Sequence, residues 1–175
     1  MDNIKDIIEN LNHGITVRGN LVAECIMFHG KNIECRKKKI KHKYLALHLG
    51  SGTINKDLKK HLKLNYKLEP TKNQTKLKKG HIVAILKMGE SKFLNELNKK
   101  ELDNKWIYSE GGYTVCNYIE DVYILKKPIK CRGFQCMNWK LECVDNDLIN
   151  KKKFVMPLKQ KIISQILFEH ILKKF

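Results

Sequence analysis

The chain has 175 residues, of which 42% are hydrophobic and 30% are charged. This composition excludes wholesale disorder, and the length is typical of one folded domain with a sizeable core, so we expect residues 1–175 to form a single domain. The 35 Lys and Arg residues against 18 Asp and Glu give a formal net charge of +17, which favours polyanions as partners.

Lysine supplies nearly all of this positive charge, because Arg18, Arg36 and Arg132 are the only arginines in the chain. Lysine is less suited than arginine to bidentate recognition of phosphate or guanine, so the surface predicts attraction more than specificity. A second interpretation stays open. A chain rich in Lys, Asn and Ile can carry its charge as a solvated surface with no partner.

The six cysteines contain no C-x-x-C pair, and Cys131, Cys136 and Cys143 lack a fourth ligand at a convincing spacing. We therefore expect no zinc site and no cofactor. No apolar run approaches the roughly 18 residues of a membrane-spanning helix, and the N-terminus has no signal-peptide pattern. The expectation is a monomer without a membrane association, with free thiols, in the cytoplasm or alternatively the nucleus.

The first third of the chain predicts alternating helices and strands. Residues 3–11 have apolar side chains at helical spacing, and the short segment 15–18, in which three of four residues are β-branched, predicts a strand. A helix is expected over residues 20–28, with Asn20 as its N-cap and Gly30 ending it in a left-handed turn.

Alternating side chains predict the next two strands. In residues 32–36, Ile33 and Cys35 face one way while the polar side chains face the other, and residues 44–49 alternate in the same manner. A basic loop over residues 37–43 joins them. A glycine-rich turn at residues 50–52 and a helix over 55–64 follow.

The remaining chain predicts strands and a final helix. Residues 65–80 are expected to form an exposed loop, and the expected elements after it are a buried strand over 81–88, a helix over 91–102, a strand over 114–125 ending before Pro128, a return strand over 134–143 and a helix from Pro157 onward. Residues 144–153 are the nearest feature to a linker. This order indicates an α+β fold, a small mixed barrel or strongly bent sheet with flanking helices.

Four motifs of the chain resemble the ASCH family of the PUA-like superfold. They are Gly30-Lys31-Asn32-Ile33-Glu34-Cys35-Arg36, Leu45-Ala46-Leu47-His48-Leu49-Gly50-Ser51, the glycine and apolar strand that begin at Gly80, and the closing segment from Tyr123 to Leu141. The resemblance covers residues 15–143 and implies a PUA-like β-barrel, with residues 144–175 as a C-terminal helical extension.

The resemblance implies an RNA-binding module, or one for a nucleotide-like ligand, with a cleft lined by Lys31, Glu34 and Arg36. The motif positions and a nearby aromatic residue complete the candidate site: Arg18, Gly30, His48, Ser51 and Phe134. Tyr44 and Trp139 are further stacking candidates, although core burial is the commoner role for a tryptophan.

The chemistry of the motif can be argued without the family. Glu34 and Arg36 share one strand face about 7 Å apart, and Lys31 lies at the preceding turn. A carboxylate between two cations can accept from a base amino group while the cations hold phosphate or carbonyl oxygens. The alternative is a structural ion pair across the sheet.

An enzyme remains the alternative function. Some small ASCH proteins resemble amidohydrolases that deacylate N4-acylated cytidine, with a catalytic Lys that Lys31 matches and a Thr whose position Glu34 holds here. Glu34 could act as a base on water, and His48 as the acid or base of a ribonuclease. A third interpretation assigns partner docking to the amphipathic C-terminal helix.

Overall fold

A computed structural model describes residues 4–65, 77–132, 134, 138–142, 157–167 and 171–173. Within these ranges, no helix is both long and apolar enough to cross a membrane. Most of the exposed loop predicted over residues 65–80, the linker at 144–153 and the residues Cys136 and Cys143 lie outside the described part of the chain.

The helices and strands up to residue 90 follow the predicted order, but the helix that begins at Asn20 has Gly19, not Asn20 as predicted, at its N-cap position. The helices are α1 (Ile4–Asn10), α2 (Asn20–Phe28), α3 (Lys56–Asn65), α4 (Lys99–Leu102) and α5 (Leu158–Leu167). The strands are β1 (His13–Arg18), β2 (Ile33–Arg36), β3 (Tyr44–Gly50), β4 (His81–Phe93), β5 (Val115–Lys130), β6 (Trp139–Lys140) and β7 (Ile171–Lys173).

One strongly curled sheet unites all seven strands. Its order is β2-β5-β4-β3-β1-β6, and β7 pairs with β5. β1 and β3 run parallel, and the other pairs are antiparallel. The sheet forms a half-barrel that is accompanied by helices, so the α+β class and the barrel-like sheet are confirmed.

Two buried clusters form the core, and β3 contributes to both. Its residues Leu45, Leu47 and Leu49 join the apolar residues of α2, while Tyr44 and Ala46 join residues of α1 and α5. The alternation predicted for this strand is therefore confirmed. Because helices cover both faces, β3 is buried along its whole length.

Four predictions in the second half of the chain are wrong. In the described part of the chain, the return strand expected over residues 134–143 is limited to Trp139–Lys140, and the final helix ends at Leu167 and is followed by a strand at Ile171–Lys173. The other two errors concern β4 and β5. The helix over residues 91–102 is replaced by the end of β4 through Phe93, a 3₁₀ turn at Leu94–Glu96 and the single helical turn of α4. Residues 91–93 pair with residues 115–117 of β5, so sheet pairing overrides the helical spacing of the apolar residues.

The last error concerns β5, which continues to Lys130 instead of ending before Pro128. The register between β4 and β5 shifts between Ile82 and Ala84, which pair with Ile129 and Ile124. Pro128 falls in this irregular segment, where its missing N–H removes no regular ladder hydrogen bond.

Candidate functional site

A pocket of about 870 Å³ opens beside β1, β2 and the start of α3. Seven of the eight predicted site residues line it, and Gly30 is the exception. These seven come from four separated parts of the sequence: Arg18, Lys31, Glu34, Arg36, His48, Ser51 and Phe134. The fold thus brings together residues that are far apart along the chain.

Gly30 contributes to the site through its backbone conformation, not by lining the pocket. Its φ of +73° lies in the left-handed region that glycine adopts without strain, as predicted for the end of α2. The turn lets the Lys31 N–H donate to the Cys25 carbonyl at 2.9 Å. Lys31 is thereby held at the start of β2, beside Glu34.

Lys31, Glu34 and Arg36 form a buried ion-pair triad. Lys31 Nζ lies 3.3 Å from one carboxylate oxygen of Glu34, and Arg36 Nε lies 2.9 Å from the other. Lys31 Nζ also donates to the Ile33 carbonyl, and Arg36 Nη2 donates to the Thr16 carbonyl at 3.2 Å. The triad connects the end of α2 to β2 and β1 and carries one net positive charge.

The protonation state of Glu34 follows from this arrangement. Burial raises the pKa of its carboxyl, but the charges of Lys31 and Arg36 and their hydrogen bonds outweigh that effect, so the pKa lies below its ordinary value. Glu34 is therefore an anion at neutral pH. It is a weak base because its charge is already shared with two cations.

The charge around the pocket is strongly positive. Among the described residues that line it, Glu34 is the one carboxylate, against five cations: Arg18, Lys31, Arg36, Lys37 and Arg132. The side chain of Arg18 is exposed and makes no hydrogen bond or ion pair within the described part of the chain. Such a surface attracts anionic groups.

Asn117 of β5 supports the triad from the neighbouring strand. It is fully buried, its Nδ2 donates to the Glu34 carbonyl at 3.1 Å, and its Oδ1 accepts from the Ile40 N–H at 2.7 Å. Oδ1 also accepts from the Ser91 hydroxyl at 2.6 Å. One side chain thus fixes β2, the basic loop after it and β4 together.

His48 lines the pocket, but both of its ring nitrogens are engaged. Nδ1 lies 3.2 Å from the Thr16 hydroxyl, and Nε2 lies 3.2 Å from the Cys131 carbonyl. Because a carbonyl only accepts, Nε2 carries the proton and Nδ1 accepts from Thr16. Trp139 Nε1 in turn donates to the Thr16 oxygen at 3.0 Å. This chain gives His48 a structural role.

Aromatic side chains form another part of the wall. Phe134 lines the pocket, with the Arg132 guanidinium 5.9 Å from its ring centroid. The stacking role expected for Tyr44 is wrong, because this residue is fully buried in the core and donates to Asp6. Trp139 is also a core residue, 3% exposed, and its ring packs close to Phe134.

Three other aromatic residues of the pocket escaped the sequence analysis. Trp106, Tyr108 and Tyr113 lie between α4 and β5, and all three line the pocket. The available signal was the presence of three large aromatic rings within eight residues that also include the Gly111-Gly112 pair. No periodic pattern marks this segment, so nothing in the sequence assigned it to a helix or strand.

Comparisons with protein families and with curated proteins do not indicate a function for this chain. No family model matches the chain, and no curated protein matches it.

Proposed function

We propose that this protein is an RNA-binding, ASCH-like domain that holds a nucleotide of the RNA, or a nucleotide-like ligand, in the pocket. The observation that carries the proposal is the composition of the pocket wall, where five cations and four aromatic side chains surround one buried carboxylate. This combination supplies the three kinds of contact that a nucleotide needs.

The first kind of contact is with phosphate. Arg18 and Lys37 are exposed at the pocket and can track a charged backbone, while the triad supplies a further net positive charge. The start of α3 adds backbone dipoles of the same sign, since Asn55 and Leu58 also line the pocket. Phosphate binding of this kind predicts a strong dependence on salt.

The second and third kinds of contact are with the base. Phe134 and Tyr113, which are partly exposed, can stack on a base face, which is the usual way in which proteins bind unpaired bases, while the buried Trp106 and Tyr108 form part of the wall. Glu34 can accept from a base amino group, and Lys31 and Arg36 keep that carboxylate ionised. The volume of about 870 Å³ accommodates a nucleotide.

The contacts made by the two candidate bases, Glu34 and His48, favour ligand binding over hydrolysis as the function of the pocket. Glu34 already shares its charge with two cations, and both nitrogens of His48 are occupied. We therefore expect no turnover of N4-acetylcytidine by the pure protein, measured by chromatography. Robust deacylation that Lys31→Ala abolishes would reverse this assignment and make the protein an amidohydrolase.

The test of binding is fluorescence anisotropy with a labelled single-stranded RNA across a salt series. Arg18→Ala removes an exposed pocket cation without breaking an internal contact, and Lys100→Ala removes an exposed cation of α4 that does not line the pocket. If Arg18 contacts a phosphate, its loss reduces the log–log salt slope by about 0.7 and weakens binding, whereas Lys100→Ala has a smaller effect.

A second variant pair tests the base contacts. Phe134→Leu keeps an apolar side chain but removes the ring, and should weaken binding by about 1–3 kcal/mol if a base stacks there. Phe93→Leu is the matched control, because Phe93 is exposed and lies outside the pocket. The attraction would be nonspecific if each pocket variant and its control weakened RNA binding equally and affinity followed the total charge alone. That result would refute the proposal.

A further inference from the structure

A pair of thiols that the proposed function does not use lies at the wall of the pocket and directly behind it. Cys35 of β2 and Cys116 of β5 lie 81 residues apart in the sequence, and their sulfur atoms are 4.0 Å apart. Cys35 is 9% exposed and lines the pocket, whereas Cys116 is fully buried and is not among the lining residues. A reagent that enters the pocket therefore reaches Cys35 before Cys116. Cys131 also lines the pocket and is more exposed, but burial raises the pKa of its thiol to about 12.

The strand register favours a bond between these two sulfurs. Cys35 and Cys116 are directly opposite in the antiparallel β2–β5 pair. The Ile119 N–H donates to the Asn32 carbonyl at 2.8 Å, so alternation along the ladder places Cys35 and Cys116 at a pair without mutual backbone hydrogen bonds. Side chains are closest at such pairs, and the Cα separation there suits a disulfide.

The surroundings of Cys35 favour its thiolate. The Tyr108 N–H donates to its sulfur at 3.3 Å. A hydrogen bond with the Cys116 thiol lowers the pKa of Cys35 to about 7 against the effect of burial, and the Lys31 charge and the Tyr108 N–H act in the same direction, whereas the same hydrogen bond and burial raise the pKa of Cys116. Burial instead raises the pKa of Cys25 to about 11 and that of Cys131 to about 12.

We propose that Cys35 is a thiol–disulfide exchange site inside the pocket, with Cys116 as its resolving partner and a low-molecular-weight disulfide such as oxidised glutathione as the oxidant. In the first step the Cys35 thiolate attacks one sulfur of that disulfide. A bond forms between Cys35 and one glutathionyl group, the original disulfide breaks, and the second glutathione leaves as a thiolate that takes the proton lost by Cys35.

In the second step the Cys116 sulfur attacks Cys35 and displaces the remaining glutathione, which takes the proton of Cys116. Two protein thiols are oxidised and one disulfide is reduced to two molecules of glutathione. The mixed disulfide places a bulky adduct in the pocket, and the internal disulfide links β2 to β5 beside Glu34. Either product therefore changes the pocket in response to the redox state of its surroundings.

The experiment treats folded protein with oxidised glutathione at pH 7 and locates the products by peptide-mapping mass spectrometry. We expect the first adduct on Cys35, followed by a Cys35–Cys116 disulfide, and an adduct without the internal disulfide in Cys116→Ser. The rate at Cys35 should exceed that of an ordinary thiol about threefold, because more of it is thiolate at this pH although a lower pKa also reduces the nucleophilicity of that thiolate. Cys25→Ser is the matched control and should react like wild type.

Modification of any other cysteine before Cys35, or no adduct on Cys35 in the folded Cys116→Ser variant, would overturn the proposal. Circular dichroism establishes that each variant is folded. Alkylation of wild type by iodoacetamide gives a second measure, with a midpoint near pH 7 at Cys35 expected and one above about pH 8.5 contradicting it.

The consequence for ligand binding rests on the proposed function and is measured separately. Oxidised protein should bind the labelled RNA at least several-fold more weakly than reduced protein, and dithiothreitol should restore binding. If reduced protein does not bind RNA, the proposed function fails, while the peptide maps still decide whether Cys35 is the exchange site. If oxidised protein binds RNA as tightly as reduced protein, thiol exchange at Cys35 does not affect RNA binding.

Discussion

Replacing Glu34 by Gln is the sharpest test of the buried triad. The substitution keeps the size of the side chain and removes its charge, so Lys31 and Arg36 are left as two cations with no carboxylate between them. Glu34 is 8% exposed and Lys31 is 5% exposed, so little water is present to screen their charges. We expect a large loss of folding stability.

The magnitude follows from the two distances. Charges separated by 3.3 Å and 2.9 Å attract by about 5 kcal/mol each at an effective dielectric constant of about 20. Removing the carboxylate also removes its desolvation penalty of several kcal/mol, and breaking a buried pair typically costs about 3–5 kcal/mol net. The expected loss in the free energy of unfolding is therefore about 3–5 kcal/mol.

Urea denaturation at pH 7 measures this loss by linear extrapolation. The matched control is Glu120→Gln, because among the described residues Glu120 makes a single ion pair, with Lys87 at 3.2 Å, and its side chain is 52% exposed. An exposed pair contributes no more than about 1 kcal/mol. Both substitutions raise the net charge of the protein by one, so the comparison cancels the general effect of charge.

Equal losses for the Glu34 and Glu120 variants would refute the view that the triad is buried and coupled. A second result links stability to function. Glu34→Gln makes the pocket more positive, so an anionic ligand should stabilise this variant more than wild type, provided that the ligand does not depend on the carboxylate. Denaturation with and without inorganic pyrophosphate, an anion that has no base for Glu34 to contact, measures the difference.

Three further predictions concern the structure around the pocket. Burial lowers the pKa of His48, so the unfolded chain binds a proton at this residue more readily than the folded protein does. The free energy of unfolding should therefore fall as the pH drops below about 6.5. Urea denaturation between about pH 7 and pH 5 should show a shallower fall in His48→Gln than in wild type. Asn117→Ala leaves the buried Ile40 N–H and other backbone groups without their partner, and should cost about 2–3 kcal/mol by the same assay, a loss below 1 kcal/mol contradicting this. Gly14→Ala places a methyl group 2.4 Å from the Trp139 ring and should lower the melting temperature by an amount corresponding to about 1–3 kcal/mol, while an unchanged melting temperature would show that the ring moves aside freely.

Local patterns in the sequence were sufficient for the elements that first build the site. The apolar run of α2 and the glycine after it predicted a helix with a left-handed end, and φ at Gly30 confirms that turn. Alternation in β2 and β3 predicted which residues are buried. These signals are reliable because helix periodicity, strand alternation and glycine conformation depend on residues a few positions apart.

Long-range pairing decided the features that the sequence misassigned. The apolar residues around Phe93 have helical spacing, yet β4 continues there because β5 offers a partner strand. The contribution of Trp106, Tyr108 and Tyr113 to the pocket likewise depends on where the irregular segment before β5 is placed. Local sequence does not specify such placements, because they follow from contacts between distant parts of the chain.

The sequence by itself determined the α+β class, the order of the principal elements in its first half, and the set Lys31, Glu34 and Arg36. Only the tertiary structure decided that these charges are buried as one triad, that His48 has both nitrogens occupied, and that Cys35 meets Cys116 across two strands. The physical reason is that protonation, burial and reactivity depend on neighbours in space. Those neighbours are set by the register and curvature of the sheet.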